Sequence, residues 1–163
     1  MALPQGFGRR GMAGANSEFL LHLVRELPVP RALIFRMQTE PPELARWWGP
    51  NGFTAPSIAL DLRVGGAYRI EMQPREGARF FLAGEFLRID PPAHLSYTFR
   101  WEDPNPDDQE TTVTMSLADL GHSTELTIDQ GPFLNKARLA LHTQGWTESL
   151  DRLYAAIAGD ARL

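Results

Sequence analysis

Cysteine is absent from the 163 residues, which excludes disulfides, thiolate nucleophiles and cysteine-ligated metals. No run approaches the roughly twenty consecutive apolar residues of a membrane span, so membrane insertion is not expected. Met1 to Asn16 carries Arg9-Arg10 but no apolar core of secretory length, and Phe19 to Val24 is short, interrupted by His22 and followed by Arg25-Glu26. No export signal is read there, and the expected location is cytoplasmic. Neither charge sign dominates: the formal net charge is −4, and no long acidic or basic run points to nucleic acid or an anionic membrane.

Several kinds of chemistry lack their residues. No glycine-rich phosphate loop lies between a strand and a helix, because Gly65-Gly66 joins two strands. No G-x-S-x-G elbow occurs, and Ser17, Ser57, Ser96, Ser116, Ser123 and Ser149 have no triad context. His22, His94, His122 and His142 are too widely separated to give metal-ligand spacing. The reading therefore assigns no catalytic residue, no cofactor and no metal.

What is present describes one globular domain: 43% hydrophobic and 22% charged residues suffice for a proper core. Residues 1–16 are Gly- and Ala-rich without periodicity and read as a flexible tail, leaving a single domain over 17–160. Glu18 to Leu27 reads as a first strand. A short helix follows from Pro30, its first residue, to about Met37. A second opens at Thr39-Glu40-Pro41-Pro42-Glu43, with Thr39 as cap, and stops at Trp48-Gly49-Pro50. From Phe53 to Gln130 the pattern alternates, which predicts six antiparallel strands in a meander. Ile58, Leu60 and Leu62 share one face, as do Tyr68, Ile70 and Met72 after a Gly65-Gly66 turn with positive φ. Phe80 to Ile89 is apolar on both faces, and alternation places Arg69 and Glu71 outside. Asp103 to Asp108 reads as a loop by composition.

Leu139, Thr143, Trp146, Leu150, Leu153 and Ile157 recur at spacings of four and three, one apolar stripe on a long helix from Leu134 to about Ala158. Gly145 interrupts it at about 1 kcal/mol in propensity, for which close approach of the helix backbone to the sheet beside Trp146 would compensate.

Trp47-Trp48-Gly49-Pro50, Asp61-x-Arg63-x-Gly65-Gly66, Gly84, Pro91 to Leu95, Thr124-x-Leu126-Thr127, Gly131-x-Phe133 and Gly145-Trp146 with Leu150 and Leu153 stand in an order that resembles one family. This is the family of homologues of the activator of heat-shock protein 90 ATPase, within the START-like (SRPBCC) superfamily. The resemblance spans roughly residues 18–158. It implies an α+β helix-grip (START-like) fold: a curved antiparallel sheet of about seven strands wrapped around a long C-terminal helix, with two short helices after the first strand. Asp61 and Arg63 are expected to pair at the hairpin base and fix its register.

The resemblance also implies a cavity between sheet and helix, where members of the superfamily bind lipids, sterols, polyketides or plant hormones. Candidate lining residues are Tyr68, Ile70, Met72, Tyr97, Phe99, Trp101, Met115 and Leu126 on the sheet, with Trp146 and Leu150 opposite and Trp48 and Phe53 as a lid. His142, one turn before Trp146, is placed to orient a ligand or to act as a base. These side chains either fill the core completely or leave a pocket whose aromatics carry polar handles. Three functions follow: binding of a small hydrophobic or aromatic molecule, contact with a heat-shock ATPase as a chaperone-interaction module, or cyclase- or dehydratase-like chemistry in the same cavity. An exposed strand edge or apolar patch would further allow a homodimer.

Overall fold

Alternating side chains place one face of every strand inward, and the antiparallel ladder that results is a seven-stranded sheet. The structure, a computed structural model, describes residues 19–161. The expected tail over 1–16 lies outside the described residues, as does Glu18, the expected start of the first strand. The strands are β1 (Leu21–Leu27), β2 (Ile58–Leu60), β3 (Ala67–Met72), β4 (Phe80–Asp90), β5 (His94–Trp101), β6 (Thr111–Asp119) and β7 (Thr124–Gly131). Their spatial order, β1-β7-β6-β5-β4-β3-β2, makes β2 to β7 a continuous meander with β1 docked beside β7. Two short helices, α1 (Arg31–Thr39) and α2 (Pro41–Leu44), connect β1 to β2, and α3 (Lys136–Ala161) follows β7. Among the described residues no helix is long and apolar enough to cross a membrane.

The inward face runs through Tyr68, Ile70 and Met72 on β3, Leu95, Tyr97 and Phe99 on β5, Val113, Met115 and Leu117 on β6, and Leu126 and Ile128 on β7, all buried. Trp146, Leu150, Leu153 and Ile157 of α3 join them in one apolar core. This is the helix-grip architecture that the resemblance implies. Arg69 turns to the outer face, where its guanidinium grips Glu102 through two hydrogen bonds of 2.7 and 2.9 Å. At the β2–β3 hairpin Arg63 Nε donates to Asp61 at 2.9 Å, the expected pair.

Several local expectations need correction. Leu62 is 42% exposed, because β2 ends at Leu60 and the chain bends into the hairpin turn, where the Asp61 N–H donates to the Ala67 carbonyl. Within that turn only Gly65 has positive φ; Gly66 is demanded instead by crowding, since a Cβ there would lie 2.0 Å from the Asp61 carbonyl oxygen. Gly84 answers the same need, as its missing Cβ would meet the Thr98 carbonyl oxygen at 2.0 Å. Pro30 is the extended cap before α1 and not its first helical residue. Thr39 does not cap α2; it ends α1 and donates its hydroxyl to the Phe35 carbonyl, so Glu40 precedes Pro41 at the cap position. Helix α2 itself stops at Leu44, though turns continue until the Trp48 N–H donates to the Leu44 carbonyl. Helix α3 starts at Lys136, two residues later than Leu134. Its apolar stripe is not uniformly buried: Trp146, Leu150, Leu153 and Ile157 are in the core, whereas Leu139 and Thr143, nearer the N-terminal end, are half-buried.

Candidate functional site

Where the N-terminal half of α3 faces β3 to β5, the core gives way to a cavity of about 530 Å³. Period-two alternation brings Met72, Phe99 and Trp101 to its sheet side, and Phe80 joins them from β4. Helical spacing brings His142, Gly145, Trp146 and Ser149 to the opposite wall, and the segment from Trp48 to Phe53 closes one end. Seven residues expected to line a pocket therefore meet in one place: Trp48, Phe53, Met72, Phe99, Trp101, His142 and Trp146. The others lie elsewhere. Tyr68, Ile70 and Tyr97 border a separate void of about 20 Å³ beside Gln38 and Leu44, and Met115, Leu126 and Leu150 are enclosed in the core. The Tyr68 hydroxyl is already engaged, donating to the Thr98 carbonyl at 2.7 Å.

The aromatic wall is continuous. Ring centroids step from Phe53 to Phe80 at 5.9 Å, Phe80 to Trp101 at 5.3 Å, Trp101 to Phe99 at 5.2 Å and Phe99 to His142 at 5.5 Å. All four contacts are edge-to-face, the arrangement that the ring quadrupole favours. Where the end wall meets α3, Trp48 and Trp146 pack edge-on at 5.5 Å. Trp146 is fixed by its indole N–H, which donates to Gln130 Oε1 at 2.6 Å, while Gln130 in turn donates to Thr111 Oγ1. The Trp48 indole N–H points to Met72 Sδ at 3.3 Å.

The end wall is tied to α3 rather than free. Arg152 Nη1 reaches the carbonyl oxygens of Trp48, Gly49 and Pro50 at 3.0, 2.8 and 3.2 Å, and the Asn51 N–H donates to Glu148 Oε1 at 2.9 Å. Partial burial lowers the Arg152 pKa from the usual guanidinium range. On the other side Arg138 of α3 pairs with Asp107 at 3.0 Å and Asp108 at 3.3 Å, pinning the β5–β6 loop beside the mouth. That ion pair holds the Asp107 carboxyl below its ordinary value.

Two titratable groups in the wall have defined states. His142 lies against Phe99, Trp101 and Phe133, and burial lowers its pKa to about 4, so the imidazole is neutral at pH 7. The Glu148 carboxyl is held below the usual range by the Asn51 N–H and then by the Gln144 amide, so it is ionised. Among the described residues, no group of three or more His, Cys, Asp or Glu side chains is arranged to hold a metal ion.

Sequence reasoning missed the polar rim. Asp103, Asn105 and Asp108 read only as loop composition, and Arg138, Gln144 and Glu148 lie on the flank of α3 away from its apolar stripe. The spacing of four between Gln144 and Glu148 was the one available signal. Phe80 was undecided because β4 is apolar on both faces. Gly145 lines the cavity, and its expected close approach to the sheet is not found: a Cβ there would meet only Pro50 Cγ, at 3.7 Å.

Among curated proteins none matches the chain. Solved structures do. A protein from Chromobacterium violaceum is 29% identical with a TM-score of 0.79, covering 86% of this chain and 97% of that one. The AHSA1 protein of Silicibacter pomeroyi is 29% identical with a TM-score of 0.76, over 86% and 99% of the two chains. A protein from Nitrosomonas europaea is 28% identical with a TM-score of 0.76, over 88% and 97%. The profile of the family described as Activator of Hsp90 ATPase homolog 1-like protein matches residues 28–158, and the chain belongs to that family.

Proposed function

We propose that the protein binds a small hydrophobic or aromatic molecule in the cavity between β3–β5 and the N-terminal half of α3. The observation that carries this reading is an aromatic-walled space of about 530 Å³, within the size range of small-molecule sites. Polar groups that would orient a ligand, His142, Ser149, Gln144 and Glu148, converge on the same wall. His142, with a pKa of about 4, is a weak base at neutral pH. That favours a hydrogen-bonding role over proton abstraction and a carrier or sensor over a cyclase. Contact with a heat-shock ATPase draws its support from the family name alone, whereas ligand binding draws on the fold and on the cavity.

Three of the four tryptophans line the cavity, so their emission reports its occupancy. Titration with 4-phenylbutanol, followed by tryptophan emission and native mass spectrometry, is expected to give saturable one-to-one binding. Gly145→Leu fills the space from a helix position that tolerates a larger side chain, and it is expected to abolish that binding while the protein remains folded. Equal binding by the folded Gly145→Leu variant would place the ligand elsewhere and refute this reading.

A further inference from the structure

We infer that the cavity selects an organic cation, with an aromatic or aliphatic body among the rings of Trp48, Trp101 and Trp146 and an ammonium group held at the rim by the Glu148 carboxylate. This rests on the cavity being the binding site and names the charge of what enters it.

The charges lining the cavity are unequal: Asp103, Asp108 and Glu148 against Arg138 alone. Arg138 is doubly engaged by Asp107 and Asp108, so its charge is already met by carboxylates and leaves no cation for an anionic ligand. Glu148 is in the opposite condition. Both its hydrogen-bond donors, the Asn51 N–H and Gln144 Nε2, are neutral, and the charge that acts on it is the like-signed Asp151. Arg152, one turn further along α3, is turned away to the carbonyls of Trp48, Gly49 and Pro50. An ionised carboxylate with no cationic partner among the described residues thus stands at the edge of an aromatic cavity.

The two features act in the same direction. Each carboxylate oxygen keeps a lone pair after its present hydrogen bond and can accept from an ammonium. The faces of indole rings attract cations through their quadrupole, an attraction that strengthens as water is excluded. A carboxylate-bearing ligand would meet the same rim as repulsion, so the preference is set by exclusion as well as attraction.

The test compares three probes that share one body: 4-phenylbutylammonium, 4-phenylbutanol and 4-phenylbutyrate, titrated by calorimetry at low salt and again at high salt. The cation is expected to bind about tenfold more tightly than the anion at low salt, with the alcohol between them and the spread shrinking as salt screens the rim. Glu148→Gln keeps an acceptor for the Asn51 N–H and is expected to bring the cation-to-alcohol affinity ratio to about one. If the alcohol or the anion binds as tightly as the cation, the charge assignment is overturned while the cavity reading stands. A cation preference that survives Glu148→Gln removes Glu148 from the role. If none of the three binds, the cavity reading itself fails, and this inference with it.

Discussion

A methyl group added at Gly145 would lie 3.7 Å from Pro50 Cγ, an ordinary van der Waals distance, and the position lies within α3 without positive φ. Glycine is therefore not required by the backbone there. Gly145→Ala is expected to raise stability by about 0.5–1 kcal/mol through the entropy of the unfolded chain, read as a higher urea midpoint at unchanged slope. His142 gives the opposite kind of case, a residue whose surroundings oppose its charge. Its pKa falls from the ordinary imidazole value of about 6.5 to about 4 through burial, with Asp108 acting weakly upward and Arg138 downward. The unfolded chain takes up the proton near pH 6.5 and the folded protein only near pH 4, so the lowered value removes stability as pH falls across that window. The loss is on the order of 3 kcal/mol if complete, and nothing from this group changes above about pH 7.5. Urea unfolding at pH 7.5 and pH 4.5 should show a smaller loss in His142→Phe than in the parent chain, and an imidazole titrating near 6.5 in the folded protein would contradict this.

At the level of elements, the stretch from Trp48 to Asn51 is held by α3 through side-chain bonds, and the sheet takes hold of the chain only from Thr54, which bridges Gln73. Arg152 alone satisfies three carbonyl oxygens there. Arg152→Met keeps much of the aliphatic stem but leaves those acceptors unpaired, and a loss of roughly 1–3 kcal/mol is expected. Hydrogen exchange should quicken at Asn51 and its neighbours while the amides of β6 and β7 keep their protection. This arrangement was only partly legible in sequence. The strands were, because alternation in β3, β5, β6 and β7 depends on nothing beyond neighbouring residues. The Trp48–Phe53 wall was anticipated as a lid, but its tether lies about a hundred residues further along the chain, a contact fixed by topology and not by spacing. The same reason hid Arg138, since its pairing with Asp107 and Asp108 exists only once the β5–β6 loop and α3 are brought together.

Across the whole molecule, the inward face of the sheet is shared between two environments that one alternation pattern cannot separate. Leu126 and Met115 face inward as Phe99 does, yet they are enclosed in the core, whereas Phe99 borders the cavity. What divides them is the course of α3, whose fully buried stripe begins at Trp146 and continues through Leu150, Leu153 and Ile157. The C-terminal half of α3 therefore carries much of the stability, and the N-terminal half lines the cavity. Leu153 has 0% exposure, so Leu153→Ala leaves a void among close-packed neighbours and is expected to cost about 2–5 kcal/mol. Trp101 is half-buried and contributes edge contacts to Phe80 and Phe99; Trp101→Ala should cost less stability, on the order of 1–2 kcal/mol, because one side of the ring already faces open space. Affinity should change in the reverse order. Calorimetric titration of 4-phenylbutanol, well below either unfolding midpoint, should find Leu153→Ala within about twofold of the parent and Trp101→Ala at least several-fold weaker. Were Leu153→Ala to lose binding while still folded, core and cavity would form one cooperative unit, and the division of α3 into a stabilising half and a binding half would be wrong.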